Sequence, residues 1–195
     1  MDAKQLRCLY RLLPHTLCVE RNSQMLKNLK LVPASIEDAE RIKDLINLSY
    51  RGMDGWTKET KIVSGDRISL DDTKTLIQKH NSNIFTVSID ETMIACISIE
   101  QKENKAYIGA FAVSPSYQNM GVGKQVLSQA EEYAANQLKV KELILSVVSQ
   151  RQELIEYYER RGYKRTGQIS KYPVHLNVGI PIIKGLTIEY LSKNT

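Results

Sequence analysis

Apolar and polar positions change period several times along the chain, and each change predicts an element. Residues 29–34 read as a short strand closed by Pro33, whose ring lacks the amide proton a ladder needs. Ser35, Ile36, Glu37 and Asp38 spell a capping box, with Ser35 as the cap. Ile42, Leu45, Ile46 and Tyr50 then recur at helical spacing, and Gly52 predicts the C-terminal stop. Residues 53–70 are polar and loop-like around Gly55 and Gly65. Asp71 or Asp72 is the expected cap of a second helix that turns Leu76 and Ile77 inward. Strand patterns at 84–89, 92–100 and 106–113 are separated by short turns, which predicts three antiparallel strands.

Ser114-Pro115 ends the third of these strands. Beyond it, Val122, Val126, Leu127, Ala130, Ala134 and Leu138 fall on one helical face. Residues 142–148 are apolar enough for a strand buried on both faces. Strand, helix and strand in succession make a βαβ unit, with parallel strands and a right-handed crossover. A further helix at 151–161 is stopped by Gly162, and last strands are expected at 163–168 and 186–191. The loop between them, carrying Tyr172-Pro173 and Gly179-Ile180-Pro181, is expected to cover a substrate entrance. The predicted fold class is α/β (α+β): a mixed, mostly antiparallel sheet of six or seven strands with helices on both faces.

Residues 1–27 read as an N-terminal extension preceding a domain at 28–195. Leu6, Leu9, Tyr10, Leu13 and Leu17 could line a helix face, interrupted by Pro14, and no acid occurs between Asp2 and Glu20. A packed helix, a frayed tail and an organelle-targeting segment all fit that composition, and Met25 could serve as an alternative start.

The whole-chain charge of +5 is concentrated in that extension. Residues 1–30 carry six basic groups and two acids, so the other 165 residues sum to only +1. A nucleic-acid partner is therefore not expected. No apolar run is long enough for a membrane span, so no membrane partner is expected either. Cys8, Cys18 and Cys96 are an odd set without metal or redox spacing, which points to a reducing, cytoplasmic setting. The scattered His15, His80 and His175 give no basis for a metal site. Oligomeric state is left open, a homodimer included.

The candidate chemistry lies at 118–124, Gln118-Asn119-Met120-Gly121-Val122-Gly123-Lys124, between strand and helix. Amides crowded at a helix start, with two glycines giving close access, make a cradle for a phosphate or pyrophosphate. Neither familiar nucleotide signature fits. Val126 occupies the third glycine position of the Rossmann fingerprint, and Gln125 follows Gly123-Lys124 where a Walker A loop needs Ser or Thr.

The spelling instead resembles the Gln/Arg-x-x-Gly-x-Gly/Ala signature of the GNAT superfamily of N-acetyltransferases. A second segment, Tyr157-Tyr158-Glu159-Arg160-Arg161-Gly162-Tyr163, resembles that family's Tyr-Glu-x-x-Gly-Phe/Tyr. The resemblance covers about residues 28–192 and is strongest from 106 to 168. It implies the GNAT fold, with a splayed parallel strand pair, and acetyl-CoA as cosubstrate. It implies cofactor contacts at Phe111, Ala112, Val113, Gln118, Asn119, Met120, Gly121, Val122, Gly123, Lys124 and Tyr158. An extended pantetheine arm would pair with the strand edge at 111–113, freed by a bulge that Gly109 would permit. A backbone amide near Val113 would polarise the thioester carbonyl.

Tyr158 aligns with the family's acid, which protonates the departing thiolate. Tyr107 stands where some histone-modifying members carry a glutamate, so the base is expected elsewhere. Glu100 and Glu59 are the candidates for a water-relayed base. Trp56, Glu59 and Tyr107 are the expected acceptor contacts, because the region after the first helix commonly walls the acceptor site. The asparagine often found seven residues before the tyrosine is replaced by Arg151. The implied activity is acetyl transfer from acetyl-CoA to a primary amine by direct attack in a ternary complex. A non-catalytic acyl-CoA-binding regulatory module is the alternative.

Overall fold

The computed structural model describes residue 26 and residues 28–195. The expected helix face at 6–17, Cys8, Cys18, His15 and the start at Met25 lie outside the described residues. Strands β1 (Val32–Pro33), β3 (Ser82–Ile89), β4 (Thr92–Lys102), β5 (Lys105–Val113), β6 (Glu142–Val148), β7 (Lys164–Lys171) and β9 (Thr187–Asn194) form one seven-stranded sheet. Its order is β1-β3-β4-β5-β6-β9-β7. Only β5 and β6 run parallel, which is the mixed sheet expected from the pattern. The short β2 (Val63–Ser64) and β8 (Ile180–Pro181) pair separately.

Alternation along the strands sends apolar side chains to two cores, one on each face. Helices α1 (Ala39–Arg51) and α2 (Leu70–Gln78) cover one face, where Ile42, Leu45 and Ile46 meet Ile84, Cys96 and Ala112. Helices α3 (Val122–Asn136) and α4 (Gln152–Glu159) cover the other. There Val122, Val126, Leu127, Ala130 and Ala134 pack with Ile155 and Tyr158 against Ile97, Ile99, Leu143 and Leu145. Both faces being covered explains why β4 is buried from Met93 to Ile99 with no polar alternation.

Several local expectations need correction. The cap of α2 is Ser69, whose hydroxyl accepts the Asp72 amide at 3.1 Å; Asp71 and Asp72 occupy the first turn instead. Gly52 ends α1 with an ordinary backbone (φ −69°), so freedom of conformation is not its role. A Cβ there would lie 2.3 Å from the Leu48 carbonyl oxygen, so close approach is what demands glycine. Strand β6 is not buried throughout, since Ser146 is exposed. The β5–β6 ladder runs only from Lys105–Glu142 to Ile108–Leu145, so Ser146 lies just past the point where the two strands part.

Candidate active site

The strands part because β5 is bulged. Cys96 faces Ala112 and Ser98 faces Gly109, so Ala110 and Phe111 together oppose the single residue Ile97. Ala110 takes the left-handed backbone at φ +42°. Gly109, expected to permit the bulge, serves it by size: a Cβ there would meet the Ser98 hydroxyl at 3.2 Å. Residues 109–113 thus leave one edge of β5 without a partner strand.

The carbonyls of this edge are anchored. Tyr50 donates its hydroxyl to the Phe111 carbonyl at 3.0 Å. The Val113 carbonyl accepts from the Ser49 hydroxyl at 3.1 Å and from Gln118 Nε2 at 3.0 Å. Gln118 also accepts the Trp56 amide at 2.9 Å and reaches the Thr57 hydroxyl at 3.0 Å. Its side chain is therefore a clamp between the strand end and the 55–57 loop, a role that its place in the loop signature did not suggest.

After β5 a turn of 3-10 helix, Pro115–Tyr117, leads into the loop. Asn119 (φ +61°) and Gly121 (φ +82°) both adopt the left-handed backbone. That curls successive amides toward one point and makes a nest at the start of α3. The amides of residues 119–124 find no carbonyl or side-chain acceptor among the described residues; the first helical bond out of the loop is Gln125 to Gly121. A nest of free donors at a helix N-terminus suits an anion.

The nest opens into a cavity of about 470 Å³. It is lined by Phe111, Val113, Gln118, Asn119, Gly121, Gly123 and Lys124 on one side, with Trp56 and Tyr158 also in the wall. Of the other expected residues, Ala112 is buried behind β5 and Val122 in the core, while Met120 is half-exposed outside the lining. Gly123 is where the loop meets α4. A Cβ there would sit 3.0 Å from the Tyr157 hydroxyl and 3.7 Å from both Phe111 and Val113.

Tyr158 is buried, and its hydroxyl takes no hydrogen bond among the described residues. Burial pushes its phenol well above the usual range, so it stays protonated. Sequence reasoning passed over Tyr50, Thr57, Leu154, Tyr157, Arg160 and Arg161, all of which line the cavity. Tyr157 lies 5.5 Å from the Trp56 ring and carries the Arg161 guanidinium 3.3 Å above its own. The signal available for Tyr157 was its position beside Tyr158 on the short helix. For Tyr50 and Thr57 there was none.

Three further expected residues are not brought to the cavity. Glu100 and Tyr107 face one another across β4 and β5, at the end of β5 away from Val113. Tyr107 lies six positions before Val113, roughly 20 Å of strand. Partial burial would raise Glu100, but ion pairs with Lys79 (2.9 Å) and Lys102 (3.1 Å) outweigh it and hold the carboxyl below its ordinary range. Glu59 is 5% exposed and pairs with Arg51 at 2.7 Å, with Arg151 at 3.7 Å on its other oxygen. Arg151 also donates to the carbonyls of Thr57 (2.8 Å) and Trp56 (3.1 Å) and pairs with Glu153. The residue that replaced an expected asparagine thus holds the Trp56 wall in place.

Among the described residues no group of His, Cys, Asp and Glu could hold a metal, and no helix is long and apolar enough to cross a membrane. The family model described as acetyltransferase (GNAT) family matches residues 40–163. No curated protein matches the chain in sequence. In fold, the chain is similar to a spermidine N-acetyltransferase from Vibrio cholerae solved with CoA and spermine, at 16% identity and a TM-score of 0.65, over 86% of this chain and 96% of that one. It is also similar to the ribosomal-protein-S18-alanine N-acetyltransferase of Escherichia coli, at 16% identity and a TM-score of 0.63, over 86% and 94%. A GNAT-family acetyltransferase from Streptococcus pneumoniae gives 17% identity and a TM-score of 0.63, over 86% and 100%.

Proposed function

Because the chain belongs to the acetyltransferase (GNAT) family, we propose that it transfers an acetyl group from acetyl-CoA to a primary amine by direct attack in a ternary complex. One observation carries this reading. A single cavity joins the free amides of residues 119–124, the unpaired edge of β5 and the buried phenol of Tyr158. A diphosphate suits the nest, an amide-rich pantetheine arm suits the open edge, and a thioester at the bulge would lie toward Tyr158. Lys124, Arg160 and Arg161 outnumber the acids Glu153 and Glu156 in the cavity lining, and the excess of positive charge suits the polyanionic end of CoA.

In the reaction the neutral amine attacks the thioester carbon. The new N–C bond forms, the C–S bond breaks, the amine's proton passes to solvent, Tyr158 supplies the proton that the thiolate takes up, and solvent returns a proton to the Tyr158 phenolate. Burial keeps that proton on Tyr158 before the step. Among the described residues the candidate carboxylates are ion-paired, Glu59 with Arg51, Glu100 with Lys79, and Glu153 and Glu156 in the cavity wall with Arg151 and Arg160, which favours water as the proton acceptor. The same observation is what supports the second reading, a non-catalytic acyl-CoA-binding module. Thiol release from acetyl-CoA, measured with a panel of primary amines, separates the two. Release that depends on an amine is the expected result, and coenzyme A binding with no release for any amine would favour the module.

A further inference from the structure

The segments that flank Tyr50, outside the lining of the cavity itself, carry several charged side chains, and their charges are unevenly satisfied. Arg51 is fully engaged, with Glu59 at 2.7 Å and the carbonyls of Gly65 (2.8 Å) and Val178 (3.0 Å). Arg151 is engaged by Glu153 and by two loop carbonyls. Glu59, the acid an amine-rich acceptor would need, is already shared between these two arginines. Arg67 differs from both. Among the described residues its guanidinium has no carboxylate partner and donates no hydrogen bond; only its backbone amide is used, to Asn47 Oδ1 at 2.7 Å.

The position of Arg67 is built. Asn47 accepts the amides of Arg67 and Ile68 (3.2 Å) and donates to the Ile68 carbonyl at 2.9 Å, which ties this segment to α1. The Arg67 guanidinium lies 5.5 Å from the Tyr50 ring centre. Tyr50 in turn holds the Phe111 carbonyl at the bulge, so one phenol ring separates the free cation from the proposed reaction centre. Burial raises the phenols of both Tyr50 and Tyr172, and the Arg67 charge opposes the rise in each. Arg67 therefore stands beside Tyr50 of α1, which is itself in the cavity wall.

We propose that Arg67 binds a carboxylate on the acceptor, and that the acceptor is a small amino acid whose amine reaches the β5 bulge while its acid group meets Arg67. This inference rests on the acetyl-transfer reading above. A planar guanidinium offers two parallel donors that match a carboxylate, and such a contact is stronger than a neutral hydrogen bond. The distance across one ring suits an acid and an amine a few bonds apart. Among the described residues polycationic amines meet no unpaired acid beside Arg51, Arg67 and Arg151, and they find Arg67 repulsive.

The test compares standard amino acids with their decarboxylated amines and with spermidine, in wild type, Arg67→Gln and Arg67→Lys. The wild type should favour at least one amino acid over its decarboxylated amine by 10-fold or more in kcat/KM. Arg67→Gln should abolish that preference, chiefly through KM, with CoA affinity and Tm unchanged, and Arg67→Lys should restore part of it. A parallel readout needs no turnover: with CoA bound, the matching N-acetyl amino acid should raise Tm in the wild type and not in Arg67→Gln. Equal or better use of decarboxylated amines or spermidine, or a preference that survives Arg67→Gln, overturns the inference while leaving acetyl transfer intact. If CoA binds but no carboxylate is used or shifts Tm, the inference also fails. If CoA does not bind, the acetyl-transfer reading falls with it.

Discussion

At the scale of single residues, Tyr158 and Gly121 carry the most weight. Tyr158→Phe removes a proton donor and little volume, so kcat should fall by about 100-fold or more, the usual reach of a positioned acid. CoA affinity should stay within about 3-fold, a margin of under 1 kcal/mol. Unchanged turnover would remove the acid role. Burial also lifts the Tyr158 phenol well above its ordinary value, so its proton is retained as the medium becomes alkaline. With an acceptor amine that is already neutral, kcat should hold level up to pH ~10, the usual phenol value. A descending limb centred well below that pH, absent in Tyr158→Phe, would contradict the protonated phenol.

Gly121 is a different case, because nothing lies within 4 Å of a Cβ placed there. The cost of Gly121→Ala is backbone strain at φ +82°, about 1–2 kcal/mol, readable in chemical denaturation. Residues at this scale were legible unevenly. The loop glycines and Tyr158 announce themselves by spacing. The pairing of Glu59 with Arg51 and of Glu100 with Lys79 does not, because these partners lie 8 and 21 residues away in the chain and are joined only by folding.

At the scale of elements, the pattern of apolar positions located both βαβ strands, α3 and the three-stranded meander within a few residues. It missed β2 and β8, because two-residue strands have no period to read. These short strands matter to the site. They join the 53–69 segment to the 172–186 loop, and Arg51 completes the join through Glu59 and the Val178 carbonyl. The loop expected to cover the entrance is thereby fixed to the segment that carries Trp56. Arg51→Met leaves Glu59 buried with its nearest partner gone, which should cost about 3–5 kcal/mol. The melting temperature should drop accordingly, and acceptor KM should rise more than the Kd for CoA, because the join lies on the acceptor side. A variant as stable as wild type would mean that Arg151 alone satisfies Glu59.

At the scale of the whole molecule, the sheet acts as a divider. Its α3/α4 face and loop 118–124 present the nest and basic side chains, while α1 and the segments at 53–69 and 172–186 present the opposite wall. The parting of β5 from β6 after Ile108 and Leu145 lets the two sides meet. Sequence reading reached this architecture through two motifs in the right order. It did not single out Arg67, because only the folded chain shows which arginine is left without a carboxylate partner among the described residues. Isothermal titration of wild type and Gly121→Ala with coenzyme A tests the central claim most directly. The account predicts a single site in the wild type and at least 10-fold weaker binding when the left-handed turn of the nest is strained. No heat in the wild type, or equal affinity in the two proteins, would contradict it.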